Sequence, residues 1–394
     1  MCNLDDFGTI DKNICSNCVN DEYLKTWIND NSEEGYCDYC NKNEKVVSID
    51  ELLIEIILPV IFRYYHFNDM PSDFNECFPL SNLDIDDVLE YFEDSISLNE
   101  NVINDIKGSF PDENFIKNFA PQENEIYRYS WKSFSDLVKY KNRYFFLQET
   151  DKNEYQEKYS PLSILNIIEK GSKHLGLIKT LKKNTVLYRA RVFKNEESVK
   201  LDDNNLGSPQ NENAKNNRMN AAGISVFYCS DNSNTCIQEV MESCIDVKSV
   251  IGVGKFTNIE DLKYLDLTEI KNKELPSIFN CDEYIYREII IFLKDLNKEL
   301  TMPIEDVNDD EKNSIDCLKA IEYVPTQIFA EYFKLNVGLK GIKYDSAKDQ
   351  NGTCFVLFFD NEQCVNENKY PYQKKCELKL IGTEQYKLKF YKKA

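Results

Sequence analysis

The chain has no long apolar run. The longest candidate, Leu52 to Phe62, is interrupted by Glu55 and Pro59. It falls short of the roughly 18 consecutive apolar residues that cross a bilayer, so no membrane span is expected. The chain also has no excess of positive charge. Its 47 Lys and Arg face 68 Asp and Glu, for a net charge of −21. That balance excludes tight, nonspecific binding of the whole surface to nucleic acid or anionic membrane. It leaves room for a local basic patch and suits a partner with a basic surface. No apolar segment follows the opening Met-Cys-Asn-Leu-Asp-Asp, and no repeat, low-complexity tract or long linker interrupts the chain. The expectation is a soluble cytoplasmic protein with reduced thiols.

What is present is a chain of 394 residues with a normal hydrophobic fraction of 42%, enough for two or three domains with real cores. Its 14 cysteines do not read as a disulfide framework. Four of them form two CxxC pairs, Cys15/Cys18 and Cys37/Cys40, with 18 residues between the pairs. That spacing lets two knuckles converge on one tetrahedral zinc ion, and four thiolates close the coordination, so the expected role is structural. Cys2 lies nearby without a CxxC partner.

The segment from 21 to 30 reads as a short helix. Ser48 and Glu51 have capping-box form ahead of Leu52, Leu53, Ile56, Ile57, Val60 and Ile61, with Pro59 expected to kink or divide that helix. Helices are expected over 84–97, 133–146 and 162–181. Arg63-Tyr-Tyr-His66 invites comparison with a helical ribonuclease site, but the two side chains are too close in sequence for that, and a histidine at a helix end is the commoner reading. The texture changes near Lys182. Strands are expected at 185–193, 224–229, 249–256, 262–267, 341–344 and 353–359, and helices from Ser233 to about Cys244 and over 281–296, 310–321 and 326–335. The polar stretch 195–217 reads as a surface loop. The fold class is therefore α+β: a zinc knuckle (1–45), a helical domain (46–183) and a mixed-sheet domain (184–394).

Within the last of these, Arg218-Met-Asn-Ala-Ala-Gly-Ile-Ser-Val-Phe-Tyr228 is followed eleven residues later by Glu239. It reads as a basic loop, a buried strand ending at a tyrosine, a turn, and a helix carrying a carboxylate. This set suits a phosphorylated ligand: a guanidinium for phosphate, a ring for a base, and a carboxylate for a developing cation. With Leu187-Tyr-Arg-Ala190, Gly223, the Thr326-Gln327 helix start, Gly341-Ile-Lys-Tyr-Asp-Ser346 and Gly352, the C-terminal half, about 184–390, resembles the RES domain. The cysteines and helices ahead of it resemble the HEPN/RES N-terminal domain.

The resemblance implies an ADP-ribosyltransferase-like fold. It also implies a bacterial toxin or phage-defence effector that cleaves the nicotinamide–ribose bond of NAD⁺, paired with an Xre-type antitoxin or restrained by its own N-terminal domain. It implies catalytic roles for Glu239, Arg218, Tyr228 and Ser346, and NAD⁺ contacts from Arg189, Arg218, Tyr228 and Ser346. Here the arginine loop reads Asn-Arg-Met-Asn where the family often has Gly-Arg-Trp/Phe-Asn. Taken one at a time, these residues have ordinary structural readings: a solvated loop arginine, a core-edge tyrosine, a surface glutamate with Glu242 as its control, a turn-capping serine, a buried arginine ion pair. Two other readings stay open, a zinc-knuckle scaffold with an inactive RES domain and a mono-ADP-ribosyltransferase acting on a protein. The acceptor (water, phosphate or a side chain) and any oligomeric state also stay open.

Overall fold

The computed structural model describes residues 7–68, 82–97, 99–146, 158–241, 249–301, 318, 320–369 and 375–387. Cys2, Glu242, the expected helix end near Cys244 and most of the expected 310–321 helix lie outside these residues. The chain divides into two compact units, one of Met1–Glu123 with Leu275–Glu288, the other of Asn124–Glu274 with Ile289–Ala394. Among the described residues no helix is long and apolar enough to cross a membrane.

In the first unit, β1 (Asn13–Cys15), β2 (Glu33–Cys37) and β3 (Lys42–Ser48) form an antiparallel sheet in the order β1-β3-β2. The sequence reading had knuckles and helices only; these strands are short and largely polar, which hides them. Helix α1 (Glu22–Asn31) connects β1 to β2, as expected, with the Asp21 carboxylate accepting from the backbone N–H of Tyr23 and Leu24. The apolar stretch after Ser48 is helical, but Ser48 makes no side-chain capping bond, so the expected capping box does not form. Leu53–Ile57 is a wide π turn, followed by a helical segment Leu58–Tyr64. Pro59 lies just past that π turn inside a continuous helical run over 49–64, and the widened turn accommodates a residue with no N–H to donate. The helix expected over 84–97 is two pieces, Ile85–Glu90 and Glu93–Ile96. Helix α2 (Glu100–Ser109) follows. Strands β4 (Tyr65–Phe67) and β5 (Phe115–Lys117) pair antiparallel. The core gathers Leu24, Ile28, Ile49, Ile61, Phe92 and Phe279.

The second unit holds helix α3 (Glu123–Tyr140), which begins ten residues earlier than expected, and α4 (Pro161–His174). The apolar helical period runs on to Leu181, but the helix does not. Instead Gly176 takes φ +64°, a left-handed conformation that ends helices, and β-branched Ile178 and Thr180 then belong to strand β6 (Ile178–Leu181). The remaining strands are β7 (Val186–Phe193), β8 (Phe227–Ser230), β9 (Val250–Asn258), β10 (Leu262–Asp266), β11 (Gly341–Asp345), β12 (Thr353–Leu357), β13 (Cys364–Asn366) and β14 (Leu378–Lys387). They join β6 in a nine-stranded sheet of order β13-β14-β9-β7-β8-β12-β11-β10-β6. The β10–β11 and β13–β14 pairs are parallel and the others antiparallel. The α+β class with a mixed sheet is as the sequence predicts.

Side-chain alternation gives this sheet two buried faces. Leu187, Phe227, Phe256, Phe355 and Leu357 share one cluster. Ala190, Ile251 and Val253 form the other, with Cys236, Ile237 and Val240 from helix α5 (Ser233–Met241) packed on them. Helices α6 (Tyr284–Thr301) and α7 (Val324–Leu335) complete the elements used below. The polar stretch 195–217 is not simply a surface loop. It contains a helical turn, Asp203–Leu206, with Leu206 and Ser208 fully buried. The Ser208 hydroxyl donates to the Phe359 carbonyl at 2.8 Å.

Candidate active site

The two ends of the β8–α5 connection explain the eleven-residue spacing from Tyr228 to Glu239. The Ser230 hydroxyl accepts from Asn232 N–H at 3.1 Å and donates to the Thr353 carbonyl at 2.7 Å. The Asn232 side chain accepts from Asn234 N–H at 2.8 Å. Asn232, not Ser233, thus satisfies a free donor at the helix start. Two helical turns then bring Glu239 back beside the strand it left. On the far side, the loop after β11 is tied to the same helix. The Thr235 hydroxyl donates to Asp349 at 2.6 Å, and Ser346 N–H donates to the Gly352 carbonyl at 2.9 Å. Gly352 passes so close to α5 that a Cβ there would lie 2.5 Å from Thr235 Cγ2. Only glycine fits that approach.

A cavity of about 450 Å³ opens between these elements, and Arg189, Arg218, Tyr228 and Glu239 all line it. Ser346 stands at its edge. Its hydroxyl donates to Glu239 Oε1 and accepts from the N–H groups of Lys348 and Asp349 at 3.2 and 3.0 Å. The serine therefore addresses the carboxylate, where the sequence reading aimed it at the substrate. Among the described residues Glu239 makes no ion pair with a lysine, and it accepts a hydrogen bond from the Ser346 hydroxyl.

Arg189 is half-buried and enclosed at its head. One Nη donates to the Tyr228 carbonyl at 2.9 Å, the guanidinium lies 5.3 Å from the Phe227 ring centre, and Nε is buried with no hydrogen-bond partner among the described residues. Burial pulls its pKa below the usual arginine value, though a guanidinium keeps its proton in such surroundings. Arg218 donates to the carbonyls of Leu300 and Glu299, at 2.5 and 3.4 Å, in the last turn of α6, and lies 5.6 Å over the Tyr323 ring. The negative end of a helix is a natural resting place for a cation.

The loop carrying Arg218 is a tight turn closed by the bridge between Asn217 and Asn220. Asn217 is not among the residues with positive φ, so the turn closes without the glycine common in the family. Met219, only 2% exposed, supplies apolar packing where relatives carry an aromatic. The Tyr228 hydroxyl donates to Asn220 Oδ1 at 2.8 Å and accepts from Met219 N–H at 3.3 Å. Burial pushes the Tyr228 phenol above its usual pKa, and the Met219 N–H opposes that rise. The ring thus stays a neutral face.

The sequence reading assigned no role to four other lining residues: Tyr323, Tyr344, Cys236 and Cys354. Burial drives the Tyr344 phenol up, reinforced by Cys354, Tyr228 and Glu239. Burial pushes Cys236 up to about 12 and also raises Cys354, the Glu239 carboxylate adding to the second. These groups are neutral at pH 7, so the charged side chains that line the cavity with Glu239 are Arg189, Arg218 and Asp345.

In the first unit, the sulfurs of Cys15, Cys18, Cys37 and Cys40 lie within 4.8 Å of one another, close enough to hold a metal ion. The pairs 15–18, 15–40 and 18–37 are each 3.7 Å apart. Tetrahedral Zn–S bonds of about 2.3 Å require S–S separations of about 3.8 Å, so the sulfurs fit that ion. Arg63 and His66 are not assembled as a site. Arg63 stacks 3.9 Å over Tyr284, while the His66 ring bonds Asn118 Oδ1 at 3.0 Å.

Residues 30–152 match the model of the HEPN/RES N-terminal domain 1, and residues 186–380 match that of the RES domain. No curated protein matches the chain. A crystal structure of the M. tuberculosis MbcT–MbcA toxin–antitoxin complex aligns with 13% identity and a TM-score of 0.29, over 56% of this chain and 91% of that chain. With its C-terminal half matched by one model and most of the remainder by the other, the chain belongs to the RES-domain proteins and carries a HEPN/RES N-terminal domain ahead of the RES domain.

Proposed function

We propose that this protein is an NAD⁺-degrading enzyme of toxin or defence type, cleaving the nicotinamide–ribose bond. The observation that carries the reading is one cavity lined by two arginines, a neutral tyrosine and a glutamate whose orientation is set by a serine. Breaking the bond leaves an oxocarbenium-like ribosyl centre, as in glycoside hydrolysis. Glu239 is the anion that stabilises it and aligns the acceptor. Arg218 takes the diphosphate after leaving the α6 carbonyls, and the unsatisfied Arg189 Nε offers a second donor to an anion. Tyr228 presents a ring to nicotinamide. A cavity of about 450 Å³ is within the usual range for small-molecule and cofactor sites.

In this reading zinc is the metal of the four-cysteine cluster. It supplies cross-linking of the two knuckles and no open coordination position. A neutralising protein partner, of antitoxin type or built into the N-terminal domain, keeps such an activity silent in the cell.

The test is nicotinamide release from NAD⁺ by the full chain beside Glu239→Ala, with and without inorganic phosphate. The variant is expected to fall by about two to three orders of magnitude while keeping the parent's melting temperature. Phosphate dependence identifies phosphate as acceptor. Label retained on protein in place of free ADP-ribose would identify a transferase. An unchanged rate in Glu239→Ala would overturn the assignment.

A further inference from the structure

We infer that Gln327, with Thr326 beside it, is the positioning residue for the arginine loop of this site. The inference rests on the NAD⁺ reading for its consequence and on geometry for its substance. The Gln327 side-chain nitrogen donates toward three acceptors of that loop: Asn216 Oδ1 at 2.9 Å, the Asn217 carbonyl at 2.8 Å and the Asn220 carbonyl at 3.1 Å. Thr326 donates from its hydroxyl to the carbonyl of Arg218 itself. Two consecutive residues of α7 thus grip the turn at its tip and on both flanks. Gln327 is 7% exposed and Asn220 4%, so the bond between them is shut away from water, while Asn217 lies at the surface.

The grip is mounted on a rigid support. Pro325 lies in the first turn of α7, where its ring fixes the backbone. Phe329, Ala330 and Phe333 anchor the helix at 0, 1 and 0% exposure. The arginine turn is tied from within by the Asn217–Asn220 bridge, by Asn220 Nδ2 donating to the Lys215, Ala221 and Ile224 carbonyls, and by the Tyr228 hydroxyl, and α7 adds an outside support to it. An arginine side chain loses considerable rotamer freedom when it engages a ligand. If its backbone also wandered, that loss would grow and ligand affinity would fall. The clamp therefore acts on binding of the anionic part of the substrate, not on bond cleavage at Glu239.

The experiment compares full-length parent, Gln327→Glu, Gln327→Ala and Thr326→Val. Gln327→Glu keeps the shape but turns an acceptor toward three acceptors. Three readouts are taken: KM and kcat for NAD⁺, binding of ADP-ribose without turnover, and amide hydrogen exchange over 215–221. The expected result is a KM raised tenfold or more with kcat within threefold. ADP-ribose binding should weaken in parallel, and exchange should rise in 215–221 but not in β9. Thr326→Val should give a smaller effect of the same kind. A fall in kcat at unchanged KM, or unchanged exchange in 215–221, would overturn the inference. If Gln327→Glu fails to fold, Gln327→Ala and Thr326→Val decide it. If the parent neither binds nor cleaves NAD⁺, the functional reading fails separately, and the exchange data still decide whether the clamp holds the loop.

Discussion

The Ser346 hydroxyl is the contact that turns Glu239 from a mobile surface carboxylate into an oriented one. Its proton goes to Glu239 while two backbone N–H groups hold the oxygen. Ser346→Ala should therefore lower kcat for nicotinamide release by about tenfold, in line with one hydrogen bond to a charged group, with KM nearly unchanged and the fold retained. Asp203 makes a different residue-scale prediction. Burial alone would raise its pKa, but Lys369, at 2.8 and 3.0 Å, and Asn366 N–H, at 3.0 Å, hold it below the ordinary 3.8. A depressed carboxylate contributes stability that is complete above its unfolded pKa and is lost as pH falls through the folded one. Asp203→Asn should cost about 2 kcal/mol at pH 7, and the gap to the parent should shrink as pH drops below 3.8, measured by urea melts across pH. At this scale the sequence sets Arg218, Tyr228 and Glu239 in succession on one loop, one strand and one helix, and the fold brings all three to one cavity. Tyr323 and Cys354 reach the cavity from segments about a hundred residues downstream, and nothing local marks a strand cysteine as facing a site; Thr326-Gln327 is a motif of the resemblance, but its grip on the arginine loop is visible only in the fold.

The elements were legible where local chemistry and tertiary demand agree, and illegible where the sheet overrules the local pattern. The run 162–181 keeps an apolar helical period throughout, yet Gly176 stops α4 and the sheet edge takes Ile178–Leu181 through pairing with β10. Helical periodicity cannot foresee that pairing, although a glycine two residues before a β-branched pair was a usable warning. The three-stranded sheet around the cysteines was missed for the opposite reason: its strands carry almost no alternation. The β11–β12 loop shows an element fixed by contact. Gly352→Ala would force a Cβ to 2.5 Å from Thr235 Cγ2 and 2.6 Å from both Thr235 Oγ1 and Asp349 Oδ2. Relieving that overlap should cost about 1–3 kcal/mol and shift the Ser346 loop away from α5. Thermal melts should show the loss. Thr235→Ser removes the clashing methyl and keeps the hydroxyl bond to Asp349, so adding it should restore part of the stability, and the double-mutant cycle should give a favourable coupling.

For the whole molecule, the division into two units with separate cores places the cysteine cluster in the unit less able to stabilise itself around that cluster. The strands flanking the four cysteines have only three, five and seven residues, so this small sheet depends on packing against its neighbours and on the cysteine cluster. Coordination of a structural zinc contributes on the order of 10–16 kcal/mol, as much as the entire stability of a typical domain. The nine-stranded sheet has no such dependence, being held by an apolar cluster on each face. The purified chain should therefore contain one zinc per molecule, and Cys37→Ser should lose it. A strong chelator should release the metal and raise hydrogen exchange over 13–48 to that of an unfolded chain, while amides of β7, β9 and β12 stay protected. Equal loss of protection in both regions would show that the metal supports the whole chain. Unchanged protection over 13–48 after complete removal would show that the local packing of Ile14, Leu24 and Ile28 suffices without it.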